Sequence, residues 1–180
     1  RVGINGFGRI GKLTLRGAFR HNAEKIQITH INDPGMNLDY AVYMLKYDSV
    51  HGRFEGEVTR DDKHLIVDGH KILLTNHFDP AEIKWSETGV DYVAECSGIF
   101  TSEEKASAHH KGGAKKVLIS VPPKDQMPIF VYGVNHTDYK SSMKIVSNAS
   151  CTTNCLAPMT KVVHDTWGVK KGLMTTIHAA

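Results

Sequence analysis

Short apolar blocks alternate with glycine-rich or polar turns along this chain, and the spacing inside each block suggests the element. Arg1-Val2-Gly3-Ile4-Asn5 is a brief apolar run, after which glycines arrive in Gly6-Phe7-Gly8-Arg9-Ile10-Gly11. Ile10, Leu13 and Gly17 then follow at helical spacing. Ile26, Ile28 and Ile31 form an alternating β-branched run that stops at Asn32-Asp33-Pro34-Gly35. Strand, glycine turn, helix and strand make one βαβ unit. Residues 38–45 read as a helix, and Leu65 to Leu74 as a hairpin about Asp68-Gly69. The parallel pattern then returns with a strand at 92–95. Thr101 and Glu104 read as a capping box for the next helix, which Gly112-Gly113 ends. Strands are predicted at 117–121 and 143–146, and a helix from Cys151 to about Trp167, kinked at Pro158 if unbroken. Val169 to Ala180 looks like the start of a further strand. The pattern predicts an α/β fold: a doubly wound, mostly parallel sheet over residues 1–150, with a second, α+β domain opening at 151–180.

Composition narrows the class. Apolar residues make up 41% and charged residues 23%, which excludes collagen-like, coiled-coil and wholly disordered chains. At roughly 100–200 residues per domain, the length suits one domain or one and part of another. Lys and Arg number 22 against 19 Asp and Glu, and the net +3 offers no dominant basic field for nucleic acid or an anionic membrane. Three cysteines are too few for a disulfide scaffold and odd in number, which suits a reducing compartment with room for one reactive thiol. No apolar run approaches the roughly 20 residues of a membrane span. No signal-peptide pattern opens the chain. The start at Arg1, one residue before a strand-like run, leads us to expect a few residues before it.

Two motifs carry candidate chemistry. Gly6-x-Gly8-x-x-Gly11 is weak alone but lies between a strand and a helix, as the dinucleotide fingerprint of Rossmann folds requires. The first glycine allows the tight turn, the second lets backbone approach a pyrophosphate, and the third lets helix pack on strand. The helix N-terminus adds free N–H groups and a positive dipole end. Asp33, 22 positions after Gly11, stands where an acid accepts bonds from a ribose and repels a 2′-phosphate, favouring NAD over NADP. The plainer alternative is a glycine-rich turn with no ligand. The second motif is Ser147-Asn148-Ala149-Ser150-Cys151-Thr152-Thr153-Asn154-Cys155, which leads from strand to helix. A thiol at a helix start is favoured as thiolate, the nucleophilic form. Cys155 reads as buried packing, since Cys-x3-Cys without a second pair is a poor zinc signal. Cys96 reads as small and inert. His178, in the apolar stretch Met174 to His178, reads by itself first as a packed strand residue. The His109-His110 pair reads as surface, and no metal-ligand cluster is predicted.

The glycine block, Tyr47-Asp48-Ser49-Val50-His51-Gly52, Ser97-Gly98-Ile99-Phe100-Thr101, Ser147 to Pro158 and Met174 to Ala179 together closely resemble the glyceraldehyde-3-phosphate dehydrogenase family over essentially the whole chain. The resemblance implies that Cys151 attacks the aldehyde to form a thiohemiacetal. His178 then serves as the base, hydride passes to NAD, and inorganic phosphate attacks the resulting thioester. It implies cofactor contacts at Arg9, Ile10, Asp33 and Ser120, with Ser97 and Phe100 nearby, and positions around the attacking phosphate at Ser150 and Thr152. The oxyanion would be held by the Cys151 backbone N–H and His178. Phe78 departs from the family pattern, which often carries an Arg before the following Asp-Pro, and this bears on an adenine-side contact. The resemblance further implies a cytoplasmic homotetramer acting on glyceraldehyde 3-phosphate, with subunits nearly twice this length. The expectation is therefore that the chain alone is not a complete enzyme. Rival readings are an erythrose-4-phosphate dehydrogenase and a non-catalytic NAD- or RNA-binding module.

Overall fold

A computed structural model describes residues 1–22 and 25–178. β1 (Val2–Asn5) runs into the glycine turn, and α1 (Arg9–Asn22) leaves it. β2 (Ile28–Asn32) returns parallel to β1, with Asn5 opposite Asn32. α2 (Leu38–Lys46) is capped by Asn37, whose side chain accepts from the Tyr40 N–H. The chain then makes an antiparallel meander of β3 (Val58–Arg60), β4 (His64–Val67) and β5 (His70–Thr75). Asp68 at φ 46° and Gly69 at φ 80° form the left-handed two-residue turn of the predicted hairpin, whose twist suits the flanking strands. β6 (Tyr92–Glu95) pairs with β1, followed by α3 (Glu103–Ala106), which tightens into a 3₁₀ segment ending at Gly112. β7 (Lys116–Ile119), β8 (Ile145–Ser147) and α4 (Cys151–Trp167) complete the described elements.

The strands lie in the order β3-β4-β5-β2-β1-β6-β7-β8. From β5 to β8 every pair is parallel; β3 and β4 add an antiparallel edge. Parallel strands buried on both faces read as continuous apolar runs rather than alternating ones. Ile4, Ile31, Val93, Val117 and Ile119 are accordingly buried. Leu15 and Ala18 of α1 and Ala41 and Leu45 of α2 close one core with Ile4, Ile31 and Leu65. A smaller core gathers Ile83, Trp85, Val90, Val93 and Ala114. The order runs outward from β1 in both directions, so the winding reverses between β1 and β6. In open α/β sheets that switch point, beyond the carboxyl ends of the strands, is where ligands bind.

The structure corrects several local expectations. The helix after β6 is capped by Ser102, whose side chain accepts from the Lys105 N–H, and not by Thr101. Thr101 is drawn into the interior instead, and its carbonyl accepts from the Lys124 N–H. His109 is fully buried and His110 half-buried, with His110 Nδ1 2.7 Å from the Ala114 carbonyl, so the pair is not a surface feature. No strand forms over 169–178, which are exposed; Ala179 and Ala180 lie outside the described residues. Strands need partners, and none of the described strands pairs with that segment. Cys155 is exposed rather than packed, because α4 buries no residue among those described. The helix runs through Pro158. Val58–Arg60 was not foreseen, since a three-residue edge strand with two exposed polar positions carries little apolar signal.

Candidate functional site

The glycine turn is shaped by close contacts. Gly6 has φ 89°, and a Cβ there would lie 2.6 Å from the Ser97 backbone nitrogen. A Cβ on Gly11 would collide with the Gly6 carbonyl, so this residue lets α1 start directly against the turn. Gly8 differs: a Cβ there would meet nothing within 4 Å, because its backbone faces open space. The Lys12 N–H bonds the Gly8 carbonyl at 3.0 Å, which makes Gly8 the residue that begins the helix. The N–H groups of the first turn have no intrahelical partner. Gly8, Arg9 and Ile10 are exposed there, so this positive helix end faces solvent.

Asp33 follows the last residue of β2. One carboxylate oxygen accepts from the Phe7 N–H at 2.7 Å and the other from the Gly35 N–H at 2.9 Å. A carboxylate offers about four acceptor positions, so capacity remains for ribose hydroxyls. Ser120, just past β7, has a buried hydroxyl oxygen without a partner among the described residues, as does Thr101. Open backbone at Gly8 and spare acceptor capacity at Asp33 both fit a dinucleotide laid across the switch point; the Ser120 hydroxyl is set against the Cys96 thiol. Phe100 packs edge-on against His109, at 6.2 Å between ring centroids. Phe78 is 82% exposed, beside Asp79, whose side chain caps a short 3₁₀ turn.

Asp48 and Lys12, near the turn, have no role in the sequence reading. Asp48 has no solvent-exposed side chain, takes the Lys12 ammonium at 2.8 Å and the Arg9 guanidinium at 3.2 Å, and accepts from the Val50 and His51 N–H groups. The Lys12 hydrogen bond, helped by those backbone donors, holds its carboxyl well below the usual carboxylate range. Arg9 is thereby tied to the 48–52 loop while 48% of its side chain stays exposed. Only the tertiary fold brings Asp48 to α1; the spacing of residues does not show it.

The cysteine block builds the start of α4. Ser150 is the N-cap, its Oγ accepting from the Thr153 N–H at 2.9 Å. Asn154 reaches back to the carbonyls of Asn148 at 2.7 Å and Ser150 at 2.9 Å. Ala149, buried, takes φ 63°, a left-handed conformation rare for a residue with a Cβ and one that concentrates at functional sites. This bend turns the chain from β8 into α4 and leaves Cys151 exposed as the first helical residue. His178 Nε2 lies 3.5 Å from Thr152 Oγ1, so the far end of the described chain returns to the residue next to Cys151. No hydrogen bond joins Cys151 and His178 among the described residues. Cys96 contrasts with them: burial pushes its thiol up to about 11, the inert form.

A glycine turn at the switch point, an acid closing the next strand and parallel strands on both sides define a Rossmann-type dinucleotide-binding α/β protein. The chain belongs to the glyceraldehyde 3-phosphate dehydrogenase family: residues 1–103 match the model of its NAD binding domain and residues 150–180 that of its C-terminal domain. Its cofactor is NAD. The chain is 58% identical over 179 residues to glyceraldehyde-3-phosphate dehydrogenase 2 of Schizosaccharomyces pombe, covering 99% of this chain and 52% of that protein. It is 57% identical over 180 residues to the Bacteroides fragilis glyceraldehyde-3-phosphate dehydrogenase, covering all of this chain and 54% of that one. With the Danio rerio protein of the same name, identity is 55% over 99% of this chain and 53% of the relative. The chain thus spans about half the length of the curated relatives it matches. Among the described residues no helix is long and apolar enough to cross a membrane.

Proposed function

We propose that this chain is the cofactor-binding and thiol-bearing part of an NAD-dependent, phosphorylating glyceraldehyde-3-phosphate dehydrogenase. Residues 1–150 form its NAD domain and 151–180 open its catalytic domain. Gly6, Gly8, Arg9, Ile10, Gly11, Asp33, Ser97, Phe100 and Ser120 line the cofactor site. The observation that carries the reading is the exposed Cys151 at the start of α4, one residue from Thr152, which His178 approaches.

Cys151 attacks the aldehyde carbon, and its proton passes to His178. The oxyanion is met by the free Cys151 N–H at the helix start. His178 returns that proton to the oxyanion, giving the thiohemiacetal, and takes the hydroxyl proton back as the thiohemiacetal becomes a thioester. NAD, when bound, accepts the hydride released in that oxidation. The thioester keeps the acyl group activated, and inorganic phosphate, guided by Ser150 and Thr152, displaces the sulfur to give the acyl phosphate. Ser150 Oγ already accepts in the helix cap and lies 2.8 Å from Thr153 Oγ1, so it gives its hydrogen to phosphate when Thr153 is the donor of that pair. The assembly we propose is a homotetramer in the cytoplasm; the Chondrus crispus relative is named as a cytosolic enzyme.

The test is NADH formation by the protein that carries this chain, with glyceraldehyde 3-phosphate and phosphate each supplied and withheld. Turnover that needs both, and that Cys151→Ser abolishes while NAD still binds, supports the reading. Turnover retained by the Ser variant, or greater turnover on erythrose 4-phosphate, overturns it.

A further inference from the structure

Parallel strands here end in polar side chains, and these are joined below the switch point. Thr75 Oγ1 donates to Asn32 Oδ1 at 2.9 Å, and Asn32 Nδ2 donates to Asn5 Oδ1 at 2.8 Å. Asn5 Nδ2 donates to Glu95 Oε2 at 2.6 Å. His109 Nε2 reaches the same oxygen at 2.8 Å, and Trp85 Nε1 reaches His109 Nδ1 at 3.1 Å. The chain has a direction. An indole N–H only donates, so His109 Nδ1 accepts, and its Nε2–H donates to Glu95. The other carboxylate oxygen, Oε1, takes both the Ser97 N–H at 2.8 Å and the Ser97 hydroxyl at 2.5 Å. Glu95 therefore only accepts, from four donors on three separate segments. It is 1% exposed and His109 is 0% exposed.

Burying a carboxylate is costly unless it is fully hydrogen-bonded. What the carboxylate adds over a neutral amide is a second oxygen that accepts from both donors of Ser97. Ser97 is the residue against which the glycine turn is seated: its nitrogen and Cα would lie 2.6 and 2.7 Å from a Cβ on Gly6. Its hydroxyl also accepts from the Ile99 N–H at 3.2 Å. With its hydrogen given to Glu95, that hydroxyl has none left for a ligand.

We propose that Glu95 is a positioning residue for the dinucleotide: through Ser97 it clamps the 96–100 turn against the glycine turn, and His109, held by Trp85, together with Asn5, fixes the carboxylate. The inference rests on the reading that the glycine turn binds NAD. Ser97 is thus a structural wedge between Glu95 and the ligand, rather than a donor to it.

The test is a double-mutant cycle read in two quantities, NAD affinity by calorimetry and stability by urea unfolding. Hydrogen bonds to a charged group are worth enough that Glu95→Gln should weaken NAD binding about tenfold. Ser97→Ala should weaken it by a similar factor, and the double variant should bind no more weakly than Glu95→Gln alone. Stability should behave otherwise. Glu95→Gln lowers it through Asn5 and His109 as well as Ser97, and so lowers it further than Ser97→Ala, which removes one of the four donors. NAD affinities that multiply in the double variant, or an unchanged affinity in Glu95→Gln, overturn the proposal. Should Glu95→Gln not fold, Ser97→Thr decides: it keeps the hydroxyl and should restore the affinity lost in Ser97→Ala, and failure to do so overturns the clamp. A wild-type chain that binds no NAD overturns the cofactor reading as well. That result is distinct from a wild type that binds alongside variants that bind equally well.

Discussion

His30 gives the sharpest prediction about stability. Its imidazole is 1% exposed in β2, with the Trp85 ring 4.7 Å away between centroids. Nε2 is 2.9 Å from Thr75 Oγ1, which gives its own hydrogen to Asn32, so Nε2–H donates to it; Nδ1, 3.1 Å from Thr88 Oγ1, accepts in the neutral form when that hydroxyl turns to it from the Trp85 carbonyl 3.2 Å away. Burial lowers its pKa from 6.5 to about 4; Glu87 opposes the shift and His77 adds to it. The unfolded chain therefore binds a proton between those values that the folded chain does not. Stability is unaffected above the unfolded value, falls as pH drops below it, and stops falling once pH passes the folded value. The whole difference corresponds to about 3 kcal/mol, of which about 2 kcal/mol is lost by pH 5. The perturbation is His30→Gln, whose side chain carries no charge at either pH. Urea unfolding of both proteins at pH 7 and pH 5 is the assay. Other histidines titrate alike in the two and cancel. The wild type should lose about 2 kcal/mol more than His30→Gln on acidification. An equal loss in both would refute the argument, as would an imidazole titration midpoint near the ordinary value in the folded protein.

Three further outcomes follow from the same geometry. Gly11→Ala drives a Cβ into the Gly6 carbonyl and should cost about 2 kcal/mol or more together with NAD binding, whereas Gly8→Ala, facing open space, should change stability by less than about 0.5 kcal/mol yet still weaken NAD; melting curves and NAD titrations separate them. Ala149→Gly relieves the left-handed backbone and should raise stability by about 0.5 kcal/mol, while Ala149→Val should lower it clearly by thermal melting. Of the three cysteines, exposed Cys151 and Cys155 should take up iodoacetamide rapidly near pH 8, and Cys96 only on unfolding; intact-mass counting of adducts would show two fast additions, and three would contradict the burial of Cys96.

The elements that were legible in the chain are those whose cause is local. A turn needing a glycine at φ 89° shows itself as Gly6 whatever surrounds it, and the left-handed pair Asp68-Gly69 announces its hairpin. The apolar run Val117-Leu118-Ile119 marks a strand, though only Val117 and Ile119 are buried in it, and Ser150 before Cys151 marks a helix start. Tertiary structure decided the matters that join distant residues. Asn5 and Glu95 stand 90 positions apart and meet because β1 and β6 pair, which makes a buried polar chain out of strand-final residues that singly look like loop beginnings. His109 looked like a surface histidine because its partners, Trp85 and Glu95, are brought to it by the path of the chain across the sheet. Cys155 looked packed because Cys-x3-Cys without a second pair argues against a metal, but nothing local says what lies against α4, whose described residues are not buried. Local backbone demands are written in consecutive residues, whereas burial and hydrogen-bond partnership belong to the arrangement of strands, which no short stretch of this chain contains.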